Sequence, residues 1–414
     1  MEDILECCCG LDVHKESIAA CLLKGPLEGG AKPQREIREF GTLAKDLAAL
    51  RDWLEAEDCR HVAMESTGIY WQPVYAVLEQ AFDAEMHLLV VNARHMKQVP
   101  GRKTDMRDAE WIATLLRAGL LKGSFVPERD IRDLRQFTRY RKALVRDITS
   151  QKNRIEKLLQ ASGFRLSSFL SDIFGASGVA IMHVLVEEGS ISRQNLDHCL
   201  KGRARQKASE ILSSLNGTLS LPQRQLLKMQ LAHLVDLREN LQEVEEQVSD
   251  GFTGFEIQVD LLDTIPGIDQ TAAYAILAEI GQDMSAFPTA QHICSWAGLA
   301  PGSNQSAKKK KRQGVTHGNN YLKTMLCEVA WVIAGQKKQY LSGWYWRLKQ
   351  RRGAKRAIVA LARKLLVIIY AMLKSNQPYN EEKFLERKQA SEQRRVGRMV
   401  SELKRLGFTV TLAS

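Results

Sequence analysis

The spacing of hydrophobic positions changes twice along the first third of the chain. Cys8 to Val13, Ser17 to Leu23 and Glu36 to Phe40 are short apolar or alternating runs, with turn-like stretches between them, the second from Gly25-Pro26 through Gly29-Gly30. That pattern predicts a three-stranded antiparallel meander. The period then lengthens: Leu43, Leu47, Leu50 and Leu54 share a helical face over Thr42 to Glu57. His61 to Glu65 is a strand, and Ile69 to Phe82 is a helix with Trp71, Val74, Leu78 and Ala81 at helical spacing. Met86 to Val91 is an apolar strand. Pro100-Gly101 breaks the chain, and Asp105 to Ala118 is a further helix with Thr104 as its N-cap. Residues 1–125 therefore read β-β-β-α-β-α-β-α, the order of the RNase H-like fold and one that other α/β folds share.

Residues 126–255 read as helical. Ile131, Leu134, Phe137, Leu144, Ile148, Ile155 and Leu158 punctuate a long polar-basic helix over 128–160. Leu227, Leu231, Leu234, Leu237, Leu241 and Val244 recur at spacings of three and four over Gln223 to Val248, a seam that suits a coiled coil or helical hairpin. The insert between them is broken at Gly175 and Gly178 and carries a basic stretch, Lys201 to Lys207. Residues 256–378 form a third region, mainly α and strongly basic, in which Ala357 to Leu373 is a core helix. Residues 379–414 are a charged tail, expected to be partly disordered ahead of a short apolar end. The most apolar stretch, Leu365 to Leu373, is too short to span a bilayer, so no membrane partner is expected.

Charge and cysteine content narrow the picture. With 59 Lys and Arg against 48 Asp and Glu, the net charge is +11, which suits a polyanionic partner, nucleic acid above all, or a merely basic enzyme. The 8 cysteines show neither CxxC pairs nor zinc-finger spacing, and Cys7 to Cys9 fall in a strand where cysteine acts as a small hydrophobe. They read as reduced thiols of a cytosolic protein, and Glu2, Asp3 and Glu6 do not suit a signal peptide.

The candidate chemistry is carboxylate chemistry. Asp12 interrupts an apolar strand, where an acid is costly unless a cation compensates it. Glu65 ends a strand before Ser66-Thr67-Gly68, at the sheet edge where open α/β folds bind ligands. Asp105 and Asp108, three apart at a helix start, share a face. Four acids from three elements suit two Mg²⁺ ions about 4 Å apart, with Mn²⁺ the alternative; singly, Glu65 also reads as a cap and the two aspartates as ordinary N-terminal acids. Lys15 and Lys103 sit beside these acids as nucleic-acid contacts.

Farther on, Leu262 to Ile268 looks like the turn of a helix-hairpin-helix element, where Gly267 offers backbone N–H groups to a phosphate or simply breaks a helix. Trp296 to Ala307 leads into Lys308, Lys309, Lys310, Lys311 and Arg312, a crowd of cations that suits a phosphate backbone. Arg347, Lys349, Arg351, Arg352, Lys355 and Arg356 form a second basic run interleaved with Trp344, Tyr345 and Trp346, which suits backbone contact with stacking, or else core aromatics beside solvated cations.

GLDVHKE, AMESTGIYW and GRKTDMRDAEWIATLL resemble the DEDD transposases of the insertion-sequence one-ten family, relatives of the Piv-type DNA invertases. The resemblance implies a RuvC-like N-terminal domain that binds metal through Asp12, Glu65, Asp105 and Asp108, then a coiled coil and a C-terminal transposase domain. The stretch around Asn304-Gln305-Ser306 resembles that domain's serine motif, which implies Ser306 as a nucleophile forming a phosphoserine link to DNA. The family serine is usually followed by Gly, whereas this chain has Ala307, so Ser303 stands beside Ser306. The resemblance also implies donor and target DNA as substrates, a noncoding bridge RNA that pairs with both, and a dimeric or tetrameric homo-oligomer in the synapse. It further implies a bacterial, cytoplasmic setting. Two other classes share the acids: a Holliday-junction nuclease using metal-activated water, with no need of Ser306, and a nucleic-acid-binding scaffold indifferent to Asp12.

Overall fold

The computed structural model describes residues 4–27, 32–66, 68–82, 85–92, 96, 108–301, 305–306, 309–310, 314–315, 318–336 and 339–407. Two compact units divide the chain, Met1–Val126 and Pro127–Ser414.

The first unit is a five-stranded sheet: β1 (Cys7–Val13), β2 (Ser17–Lys24), β3 (Gln34–Gly41), β4 (His61–Glu65) and β5 (His87–Val91). Its spatial order is β3-β2-β1-β4-β5. The first three strands form the antiparallel meander, and β1–β4 and β4–β5 are parallel pairs. Parallel neighbours need long crossovers. Helix α1 (Ala44–Ala56) supplies the one into β4, and α2 (Trp71–Phe82) the one into β5.

Strand periodicity sorts β1 onto two faces. Cys9, Leu11 and Val13 join a core with Leu50, Trp53 and Leu54 of α1 and Val74, Leu78 and Phe82 of α2. Cys8 faces the other way, with Cys21 and Ala63, against Ala109, Ile112 and Ala113 of α3 (Asp108–Arg117). Burying each Leu or Ile in such layers contributes about 1.5–3 kcal/mol. Helix α3 lies unusually close to β1, because a Cβ at Gly10 would run into Ala109 O and Ala113 N. Its far end is tied down by Arg117, 1% exposed, which donates to the carbonyls of Glu6, Gly25 and Pro26 at 3.1–3.2 Å. The described part of this helix starts at Asp108; Thr104 and Asp105 lie outside the described residues.

The second unit is helical. Helix α4 (Arg129–Ala161) and helix α8 (Leu221–Gly251) run antiparallel: Gly251 abuts Leu134, Arg141 meets Glu245, and Gln151 donates to Gln230 O at 2.9 Å. The seam buries Ile131, Leu134, Leu144, Ile148 and Ile155 against Leu227, Leu231, Leu234, Leu237 and Val244, a helical hairpin. Phe137, another apolar position of α4, is 39% exposed. A Ser220–Gln223 capping box with Pro222 in the first turn sets the start of α8. The insert holds α5 (Ala176–Glu188), α6 (Arg193–Cys199) and α7 (Ala208–Ser213). Gly178 lies inside α5 and does not break it; the position is glycine because a Cβ would strike Ile173 O.

Then follow α9 (Glu256–Asp263), α10 (Gln270–Ile280), α11 (Ala290–Trp296), α12 (Asn320–Gly335), α13 (Tyr340–Arg352) and α14 (Ala354–Ser375). Helix α14 is the core helix expected, with Leu361, Leu365, Leu366 and Ile369 fully buried. The tail departs from expectation: α15 (Glu381–Arg405) is a regular helix. Its Glu, Lys, Arg, Gln and Leu content favours helix, with Glu381 and Glu382 in the first turn and Lys404 and Arg405 in the last, matching the macrodipole. Phe384 anchors it by stacking on Tyr340 and Tyr379 at 5.5 and 5.6 Å. The tail's apolar end, 408–414, lies outside the described residues. Among the described residues no helix is long and apolar enough to cross a membrane.

Candidate functional site

Three of the four acids come to one edge of the first unit. Asp12 is two residues beyond Gly10 and therefore on the face covered by α3. Glu65 is two residues beyond Ala63, on that same face, and ends the parallel neighbour of β1. Asp108 opens α3, which the glycine at position 10 lets settle directly on β1. Residue size, strand register and a helix start thus converge three carboxylates. Asp105 lies outside the described residues.

The electrostatics register that convergence. Burial raises the carboxyl of Asp12 above the ordinary aspartate range; the nearby His14 pulls it down, and the negative charges of Asp108 and Glu65 push it up. Its side chain is 18% exposed, and His14 Nε2 stands 3.2 Å from Asp12 Oδ2. His14 falls within GLDVHKE, two residues after Asp12. The spacing i, i+2 at a strand end was the available signal. Among the described residues no group of three or more His, Cys, Asp or Glu forms a ready-made metal cage. What the site offers is a half-buried carboxylate that feels two others, the kind of charge crowding a divalent cation relieves.

The basic positions scatter more. Lys15, with a 72% exposed side chain, is in the turn between β1 and β2, and its carbonyl accepts a 3.0 Å bond from Thr42 Oγ1. Lys103 lies outside the described residues. Gly267 occupies the α9–α10 turn at φ +87°, and a Cβ there would crowd Ile333 and Val332 at 3.0 and 3.3 Å. The glycine is thus required by backbone geometry and by packing on α12.

Ser306 lies in the second unit on a two-stranded ribbon, β6 (Gln305–Ser306) and β7 (Lys309–Lys310), in which it pairs with Lys309. Ser303, Lys308, Lys311 and Arg312 lie outside the described residues. Arg351 and Arg352 end α13, exposed, ahead of Gly353 at φ +79°. The interleaved aromatics divide between core and surface: Tyr345 is 1% exposed, whereas Trp346 is 48% exposed with Lys349 Nζ 4.0 Å from its ring centre.

Two family models match the chain. A DEDD-type IS110 model described as "Transposase" matches residues 9–163, and one described as "Transposase IS116/IS110/IS902 family" matches residues 259–346. The chain is 33% identical over 127 residues to the pilin gene-inverting protein of Moraxella bovis, a match that covers 30% of this chain and 39% of that protein. It thus spans about two fifths of the inverting protein's length. It is 26% identical over 298 residues to the transposase for insertion sequence element IS1111A of Coxiella burnetii, covering 70% of this chain and 72% of that one. An insertion element IS110 protein of Streptomyces coelicolor is 25% identical over 305 residues, covering 68% and 73%. With one model falling on the carboxylate edge and the other on the serine ribbon, the chain belongs to the IS110 family of transposases.

Proposed function

We propose that this protein is a DNA strand-transfer enzyme of an insertion sequence, with an RNase H-like, RuvC-type carboxylate site and a serine nucleophile. The observation that carries the reading is the edge where Asp12, Glu65 and Asp108 meet, with the Asp12 carboxyl held up by burial and by its two acidic neighbours. The strand order 3-2-1-4-5 supports it, as does the family to which the chain belongs.

Asp12, Glu65, Asp108 and Asp105 are the residues that would hold a divalent cation, Mg²⁺ or Mn²⁺. Such an ion supplies Lewis-acid stabilisation of a phosphoryl group and activation of an oxygen nucleophile. His14 steadies the Asp12 carboxylate from outside the cluster. Ser306 Oγ attacks the scissile phosphorus; the serine O–P bond forms, the P–O3′ bond breaks, and the serine proton ends on the departing 3′ oxygen. A 3′-hydroxyl of the partner strand then attacks the phosphoserine, and the proton returns to Ser306. One phosphodiester is lost and one is made, so no external energy source is needed.

Lys15, Lys103, the Lys308 to Arg312 run, Arg351 and Arg352 hold the DNA backbone, and Gly267 presents its turn to a phosphate. A bridge RNA selects donor and target by pairing, while the protein reads backbone and shape. The helical hairpin joins copies of the chain in the synapse.

Incubation of supercoiled donor and target with the protein, Mg²⁺ and the element's own noncoding RNA tests the reading. Recombinant product should form with all components and vanish on omission of the RNA or the metal, and with Asp12→Ala. Product that persists without RNA contradicts guidance, and product that persists with Asp12→Ala contradicts the carboxylate site.

A further inference from the structure

A buried carboxylate of the second unit is bonded to a residue that follows the serine ribbon in the chain. Glu279, near the end of α10, is 2% exposed. Arg139 of α4 grips it with both arms of its guanidinium, Nε to Oε1 at 2.8 Å and Nη2 to Oε2 at 2.9 Å. Arg135 Nε stands 3.3 Å from Oε2, and the same guanidinium donates to the carbonyls of Ala278 and Glu279 at 3.0 and 2.8 Å. A carboxylate this deep is tolerated only because it is paired and hydrogen-bonded throughout.

The remaining bond on Oε2 reaches the ribbon's base. Asn319 Nδ2 donates to it at 2.6 Å. Asn319 is also the N-cap of α12, its Oδ1 accepting from the backbone N–H groups of Tyr321 and Leu322 at 3.0 and 3.1 Å, and its own N–H donates to Trp296 O at 3.0 Å. Beside it Gly318 packs so tightly on Trp296 and Gly298 that no Cβ fits. Pro301 and Val315 pair across the segment between these anchors, and within it stand β6 and β7 with Ser306. Arg139 also lies over the ring of Tyr321 at 4.3 Å, so the same guanidinium touches both the carboxylate and the first turn of α12.

We infer that Glu279 is a positioning residue: through Asn319 it fixes the base of the ribbon carrying Ser306 onto the α4 arm of the helical hairpin. The inference rests on the serine reading above for its catalytic consequence, but not for the mechanical one. A nucleophile held on a two-residue ribbon depends on its base for aim, and a displacement of about 1 Å can cost roughly 100-fold in rate.

Asn319→Ser is the informative variant. Serine keeps an N-cap oxygen for α12 but loses the amide that reaches Glu279. Its melting temperature should fall only slightly, since Arg139 and Arg135 still pair the carboxylate, and its DNA affinity should match wild type. Tryptic cleavage at Lys309 and Lys310 should be several-fold faster, and formation of a Ser306–DNA adduct at saturating DNA about 10- to 100-fold slower. Glu279→Gln should slow the adduct likewise and, because it also removes the charge that Arg139 and Arg135 pair with, lower the melting temperature. Wild-type rates of cleavage and adduct formation in folded Asn319→Ser overturn the inference. A wild type that forms no adduct on Ser306 overturns the serine reading instead, and the proteolysis comparison then decides alone whether Glu279 fixes the ribbon.

Discussion

Burial and two like charges both favour the protonated form of Asp12, and neutral pH demands the ionised one. A carboxyl raised in the folded state contributes stability below the pKa of the unfolded chain and loses it as pH rises through the folded value. In chelator at neutral pH, Asp12→Asn should therefore raise the melting temperature, because it removes a charge the fold disfavours. Mg²⁺ should stabilise wild type and leave Asp12→Asn nearly unmoved, by the linkage between binding and unfolding. Calorimetry with and without the ion checks both. A wild type indifferent to Mg²⁺ would mean that the crowded carboxylates are relieved by some other means. At this scale the sequence was informative about Asp12, an acid flanked by apolar strand residues. It said little about His14, whose part depends on the ring reaching the carboxylate 3.2 Å away. Glu279 was invisible for a similar reason: its partners Arg135 and Arg139 are 144 and 140 residues back and Asn319 is 40 ahead, a proximity only the fold creates.

Helix α3 brings Asp108 to the site only if it can approach β1. Gly10→Ala should therefore cost about 3 kcal/mol in urea unfolding and more in activity than in stability, since the added methyl meets backbone rather than a side chain that can turn away. An ordinary substitution cost with an intact site would show that the helix can shift without consequence. Strands and helices of the first unit were legible because their patterns differ cleanly: short apolar runs in β1, β2 and β4, and leucines recurring at spacings of three and four in α1. The antiparallel seam of α4 and α8 was legible for the same reason. Two readings at this scale went astray on context. Gly178 looked like a breaker but makes room for the backbone of Ile173 in the turn before its own helix, and the tail was expected to be partly disordered because it is charged, although its charges are ordered along a helix dipole. The serine carried no signal of its own; its ribbon is two residues per strand, too short for any periodicity to show.

For the whole molecule, a net charge of +11 makes salt the natural probe of nucleic-acid binding. Each phosphate contact steepens the fall of log K with log salt by about 0.9. Lys309→Gln with Lys310→Gln should flatten that slope by roughly two such contacts, read by fluorescence anisotropy on donor DNA. An unchanged slope would remove β7 from the interface.

The central claim is that Ser306 itself becomes joined to DNA. Mass spectrometry of peptides that stay attached to DNA after quenching a Mg²⁺ reaction tests it most directly. The account predicts a nucleotide-bearing peptide with phosphate on Ser306 in wild type, and none in Ser306→Ala or Asp12→Ala. DNA cut by Ser306→Ala at the wild-type rate, with ends free of protein, would contradict it and identify water as the nucleophile.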